Sequence, residues 1–140
     1  MSWKVNAERR FLIRVKHDSD IIDFLTEFAK KNEITAATFT AIGALKSAKL
    51  GFYDQEKHAY LEESFSVPQE IASCIGNISL KENQPFIHAH AVLSDQDGNT
   101  HGGHLLEGRV FAAEVSLTEL AGTRLERKND VVTGLSLWTV

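Results

Sequence analysis

Phe86-Ile87-His88-Ala89-His90-Ala91-Val92-Leu93, then Ser94-Asp95-Gln96-Asp97-Gly98-Asn99, then Thr100-His101-Gly102-Gly103-His104 reads as two β-strands joined by a turn. Residues two apart in a strand project from the same face. His88 and His90 therefore stand side by side, roughly 7 Å apart along the backbone at about 3.4 Å per residue. The place of the third histidine depends on how the turn is made. A two-residue turn at Asp97-Gly98 sets His104 opposite Ala91, facing away from the pair. A three-residue loop, Gln96-Asp97-Gly98, puts Gly98 in the left-handed position that follows a type I turn. Asp95 then pairs with Asn99 and His90 lies opposite His104, with Cβ atoms about 5 Å apart. In that register His101 turns to the other face and Gly102 lies opposite Val92, leaving space beside the triad. A bulge at Gly103 would shift it.

His88, His90 and His104 in this arrangement offer three neutral imidazoles to one cation. That donor set suits zinc, and also iron, nickel or copper. Three protein ligands leave a coordination position open, the pattern of catalytic rather than structural zinc sites, and a water bound there becomes a nucleophile. A bare H-x-H is common among ordinary sheet histidines; the register-matched third residue gives the motif its content. The remaining histidines read otherwise: His17 at a strand–helix junction and His58 in a polar turn as surface residues, His101 as structural or exposed. Glu107 is turned away from the triad by the same register. Glu114 reads as an exposed edge residue, and Cys74 as a small core residue. Asp95, Asp97 and Asn99 are explained by turn chemistry and lack the full calcium-loop pattern.

Outward from the hairpin, most of the chain also reads as strands. Arg10–Lys16 alternates apolar residues at Phe11, Ile13 and Val15. Strands are expected over 35–42 (ending at Gly43), 48–53, 59–65, 71–80, 86–94 and 99–106 (the two arms of the hairpin), 110–120 and, as a short tail, 132–140 with a bulge at Gly134. One strong helix is expected after His17-Asp18-Ser19-Asp20, with Asp18 or Ser19 as cap and Asp20 favouring its positive end. Ile21, Ile22, Leu25, Phe28 and Ala29 recur at helical spacing up to Lys30 and Lys31, and Asn32 is the expected stop. Many short strands with one early helix imply an α+β fold, a mainly antiparallel sheet covered by that helix.

The 140 residues suit a single domain, 1–140, with 43% apolar and 24% charged residues, a globular balance. Apolar runs are too short to span a bilayer. Met1–Asn6 followed by Glu8, Arg9 and Arg10 does not read as a signal peptide. The one cysteine cannot pair within the chain, which fits a reducing cytoplasm. The net charge of −4 lacks the basic bias of a phosphate-binding domain. Arg124-Leu125-Glu126-Arg127-Lys128, the densest basic run, reads as a solvated turn or strand end. No glycine loop for phosphate and no serine elbow is present.

Gly102-Gly103-His104-Leu105-Leu106-Glu107-Gly108, with His88-Ala89-His90 before it and Asp97-Gly98-Asn99 between, resembles the plant and prokaryote conserved (PPC) domain. Ala41-Ile42-Gly43-Ala44 and Cys74-Ile75-Gly76-Asn77-Ile78-Ser79 match further characteristic stretches, so the resemblance covers nearly the whole chain. It implies an antiparallel sheet with a packed helix, a homotrimer, and a metal site, zinc or another divalent transition ion, at His88, His90 and His104. It also implies a DNA-binding, regulatory role, although the AT-hook that contacts DNA in the plant proteins is absent here. The fold is similar to that of acetolactate decarboxylase and a related zinc ester hydrolase. That similarity implies the alternative of a small metalloenzyme, a hydrolase or decarboxylase, with a small-molecule ligand at the metal.

Overall fold

The computed structural model describes residues 2–139. In chain order the elements are β1 (Asn6–Val15), α1 (Ile21–Lys31), β2 (Ala37–Asp54), β3 (Ala59–Phe65), β4 (Gln69–Lys81), β5 (Gln84–Ser94), β6 (Thr100–Ala121), β7 (Glu126–Asn129) and β8 (Ser136–Thr139). The α+β reading holds, with a mostly antiparallel sheet and one helix among the described residues.

The helix forms where its apolar spacing put it, but its cap lies one or two residues later than expected. Asp20 is the N-cap: its side chain accepts from the backbone N–H of Ile22 and Asp23, at 2.8 and 3.0 Å. Its other carboxylate oxygen accepts from the Gly108 N–H at 2.6 Å, so one side chain both starts the helix and ties it to β6. Ile21, Leu25 and Ala29, four residues apart, are the helix's buried stripe. Burial of an Ile or Leu side chain contributes about 1.5–3 kcal/mol. Lys30 and Lys31 sit in the last turn, and the Asn32 N–H closes on Phe28 and Lys30 carbonyls.

The strands are fewer and longer than the sequence suggested. The two segments expected at 35–42 and 48–53 form one 18-residue strand, and 99–106 with 110–120 form one of 22 residues. Gly43 does not end its strand. It has φ +134°, and a Cβ there would fall 2.2 Å from the Ala112 carbonyl oxygen, so glycine carries the strand through a tight crossing. Register shifts between Ala41 and Gly43 and between Leu45 and Ser47 bend β2. That bend lets β2 pair along β6 and also with β4, closing a circuit β2–β6–β5–β4 with β1 added beside β6. Phe39, Ala41, Leu50, Ile78, Leu93, Val115 and Leu117 fill the interior with the helix stripe.

The C-terminal part departs most from expectation. The tail strand expected over 132–140 is shorter, Ser136–Thr139, and forms the second arm of a hairpin. β7 joins the sheet edge parallel to β4, with Leu80 beside Glu126 and Lys81 beside Arg127, and β8 folds back on β7. Gly134, at φ +72°, belongs to the turn between them rather than to a bulge in a strand. Asp130 explains the turn: its carboxylate accepts from the Thr133 N–H and hydroxyl, and its carbonyl from the Gly134 N–H. Val140 lies outside the described residues. No described helix is long and apolar enough to cross a membrane.

Candidate metal centre

The hairpin closes in the three-residue-loop register. Gly98 has φ +81°, its N–H donates to the Asp95 carbonyl at 3.1 Å, and the Asp95 N–H donates to the Asn99 carbonyl at 3.0 Å. The Asp95 carboxylate accepts from the Asn99 side-chain amide and from the backbone N–H groups of Asn99 and Asp97, which holds its pKa below the usual carboxylate value. His90 therefore pairs with His104, Val92 with Gly102 and Leu93 with His101. His101 faces away from the triad and packs on Phe65, with ring centres 4.8 Å apart.

Ile87, Ala89, Ala91 and Leu93 point into the core, so His88, His90 and His104 gather on the sheet face away from it. One ring nitrogen from each lies within 4.8 Å of the others, a spacing that could hold one ion. His88 Nε2 and His104 Nδ1 are 3.2 Å apart. Two nitrogens bound tetrahedrally at 2.0–2.1 Å would be about 3.3 Å apart, so this edge already fits. Burial, then the charge of Arg127, then the other two histidines push the His88 pKa down to about 4. Burial and His90 lower that of His104. Both rings are therefore neutral near pH 7, each with one ring-nitrogen lone pair; a cation at His88 Nε2 requires the tautomer with the proton on Nδ1, which gives up any hydrogen bond there from Arg127.

Arg127 was expected in solvent and is instead 9% exposed against this site. Its Nε donates to Ser79 Oγ at 2.7 Å, Nη1 to the Ser136 carbonyl at 2.8 Å and Nη2 to Asn77 Oδ1 at 2.9 Å. Nη2 also lies 3.5 Å from His88 Nδ1. Its guanidinium stacks over Phe86 and Trp138, 5.2 and 5.4 Å from the ring centres. Burial lowers its pKa. The signal available in the sequence was period two: Leu125 and Arg127 share a strand face, and Leu125 is buried. His88, His104 and Arg127 open on a cavity of about 390 Å³, walled also by Tyr53, Tyr60 and Phe86. Tyr60 meets the His104 ring edge-on at 5.1 Å. His58, exposed as expected, stands at the same cavity and stacks on Tyr53.

The remaining candidates lie elsewhere. Glu107 pairs with Lys49 and Glu114 is exposed opposite Arg14. Cys74 is buried, and burial pushes its thiol up to about 11.

The profile of the Plants and Prokaryotes Conserved (PCC, also written PPC) domain matches residues 4–121. The chain belongs to this family. Among solved PPC-fold structures, a metal-containing protein from Archaeoglobus fulgidus is 40% identical, with a TM-score of 0.96 covering 100% of this chain and 99% of the other. A PPC protein from Pyrococcus horikoshii is 38% identical, with a TM-score of 0.95 and coverage of 100% and 97%. A candidate DNA-binding protein from Ralstonia eutropha is 29% identical, with a TM-score of 0.85 and coverage of 92% and 90%. The chain also spans about a fifth of the length of the curated relatives it matches, bifunctional GlmU proteins of Synechococcus, at 29% and 28% identity over 90% and 87% of this chain.

Proposed function

We propose that this PPC protein is a homotrimeric metal protein. In this reading His88, His90 and His104 hold zinc, or another divalent transition ion, at a centre that leaves one position for a small molecule. The observation that carries it is the convergence of three ring nitrogens within 4.8 Å, one pair already at a tetrahedral edge length. The metal content of the Archaeoglobus relative supports the same reading. When bound, the ion would supply Lewis acidity and an activated water. The chain's own part is to present neutral imidazoles from a fixed hairpin beside a partly apolar cavity. The buried free thiol fits a reducing, cytoplasmic setting.

Elemental analysis of the purified protein should find about one transition-metal ion per chain, and none in His104→Ala. Equal metal in both would remove His104 as a ligand. The homotrimer is supported by apolar side chains on the open sheet face: Leu12, Ile42 and Ile75 are 91%, 60% and 65% exposed. Light scattering should give three times the chain mass for the wild type and a smaller species for Leu12→Asp/Ile42→Asp.

Regulatory DNA binding is the second reading, favoured by the Ralstonia relative's name. It requires duplex affinity that falls steeply with salt. Flat, salt-insensitive fluorescence anisotropy of a labelled duplex would end it. Small metalloenzyme activity is the alternative use of the open position. It requires turnover on a panel of esters and keto acids that His90→Ala abolishes.

A further inference from the structure

The cavity next to the triad carries an unbalanced charge. Arg127 is nearly buried, yet the acceptors it bonds are a hydroxyl, an amide oxygen and a backbone carbonyl, all neutral. No carboxylate pairs with it among the described residues, and none lines the cavity. Burying a guanidinium without a counter-charge is costly. A guanidinium has five N–H donors; three are engaged in these bonds and a fourth, on Nη2, is directed at His88 Nδ1, 3.5 Å away. The one remaining donor, on Nη1, has no acceptor among the described residues. Lys81 stands at the same cavity, its ammonium over the Phe86 ring at 5.7 Å. Three neutral histidines and a divalent ion would add two more uncompensated positive charges. The chain as a whole is acidic, so this concentration of positive charge is local.

The cavity's other walls are flat and largely apolar. Tyr53 and Tyr60 meet edge to face at 5.1 Å, and the Tyr53 hydroxyl is already spent on the Thr133 carbonyl at 2.7 Å. Leu135 and Leu137 close the side formed by the C-terminal hairpin. The volume of about 390 Å³ lies within the range of small-ligand sites.

We propose that this cavity binds a small organic carboxylate, its carboxylate held by Arg127 with Lys81 at the rim and its apolar body against Tyr53, Tyr60 and Phe86. The carboxylate pairs with the guanidinium through its unengaged Nη1 N–H, and the end of the molecule beside His88 and His104 meets the coordination position left by three protein ligands. This second contact rests on the metal reading; the Arg127 contact does not.

The test uses benzoate as probe, benzamide as its neutral isostere, and calorimetric titration of the full chain, both zinc-loaded and metal-free. Benzoate should bind the zinc-loaded protein at least 10-fold more tightly than benzamide. Arg127→Gln should lose at least 10-fold in benzoate affinity while its zinc content, measured separately, stays at that of the wild type. Arg127 also knits β7 to β4, so Lys81→Gln, on an exposed side chain, and Arg127→Lys provide variants less exposed to misfolding. Each should weaken benzoate several-fold and leave benzamide unchanged. Benzamide binding as tightly as benzoate overturns the proposal. So does benzoate affinity that neither Arg127→Lys nor Lys81→Gln alters. The two readings fail separately. A protein without zinc that still prefers benzoate through Arg127 keeps the carboxylate site and rejects the metal. A zinc-loaded protein indifferent to the carboxylate does the reverse.

Discussion

The hairpin of β5 and β6 and the hairpin of β7 and β8 meet at the same cavity but bring their residues there in different ways. In the first, the histidines lie within 16 positions of one another and a single loop sets their alignment. In the second, Arg127 reaches the site because a four-residue strand docks in parallel against β4, whose partner residue Lys81 lies 46 positions earlier. The histidine cluster is thus a local object and the arginine wall a tertiary one. Damage to the first should cost ligand chemistry with little loss of fold. Damage to the second should cost packing with a smaller loss of metal.

The largest effect should come from removing a histidine. His88→Ala should weaken zinc binding by more than about 100-fold, beyond the 10–100-fold usual for residues one layer further out. Its far-ultraviolet circular dichroism should match the wild type, since His88 points off the core. A collapse of the fold instead would erase the contrast between the two regions. Next, Arg127→Met should destabilise by about 2–3 kcal/mol, because Ser79 and Asn77 lose the donor that satisfied them. Urea unfolding measures that cost, and a competition titration should show zinc affinity changed by less than 10-fold. Strict loss of zinc in this variant would show that the arginine wall and the triad are one unit.

A smaller cost, about 1–2 kcal/mol, is expected for Gly98→Val, which forces a β-branched residue into the left-handed region at φ +81°. Zinc affinity and thermal stability should fall together here, because the turn sets the triad's alignment. The smallest effect belongs to Asp95. Its carboxylate is stabilised in the folded chain, so its folded pKa lies below the unfolded one. The stabilisation is present above the unfolded pKa and is lost as pH falls through the folded pKa. Amide exchange at Asp97 and Asn99 should therefore quicken only below about pH 4. In Asp95→Ala it should already be fast at neutral pH.

Much of the molecule could be read without the structure where the pattern is local. The period of 3.6 in Ile21–Ala29 and the period of two in Phe11–Val15 each depend on neighbours in the chain. So does the His90–His104 pairing, because Gly98 admits the positive φ that a three-residue loop needs. Glycine was ambiguous elsewhere. At Gly43 it suggested a strand end, but the residue that demands it, Ala112, is far along the chain and comes close only in the folded sheet.

The sequence by itself therefore determined the fold class, the helix and the three histidines with their facing. These follow from side-chain periodicity and one turn, and such preferences act over a few residues. Only the tertiary structure decided that β2 and β6 run unbroken, that β7 adds in parallel, and that Arg127 lies buried beside His88. A charged residue is taken out of water only when distant acceptors, here Ser79, Asn77 and the Ser136 carbonyl, have been assembled to receive it.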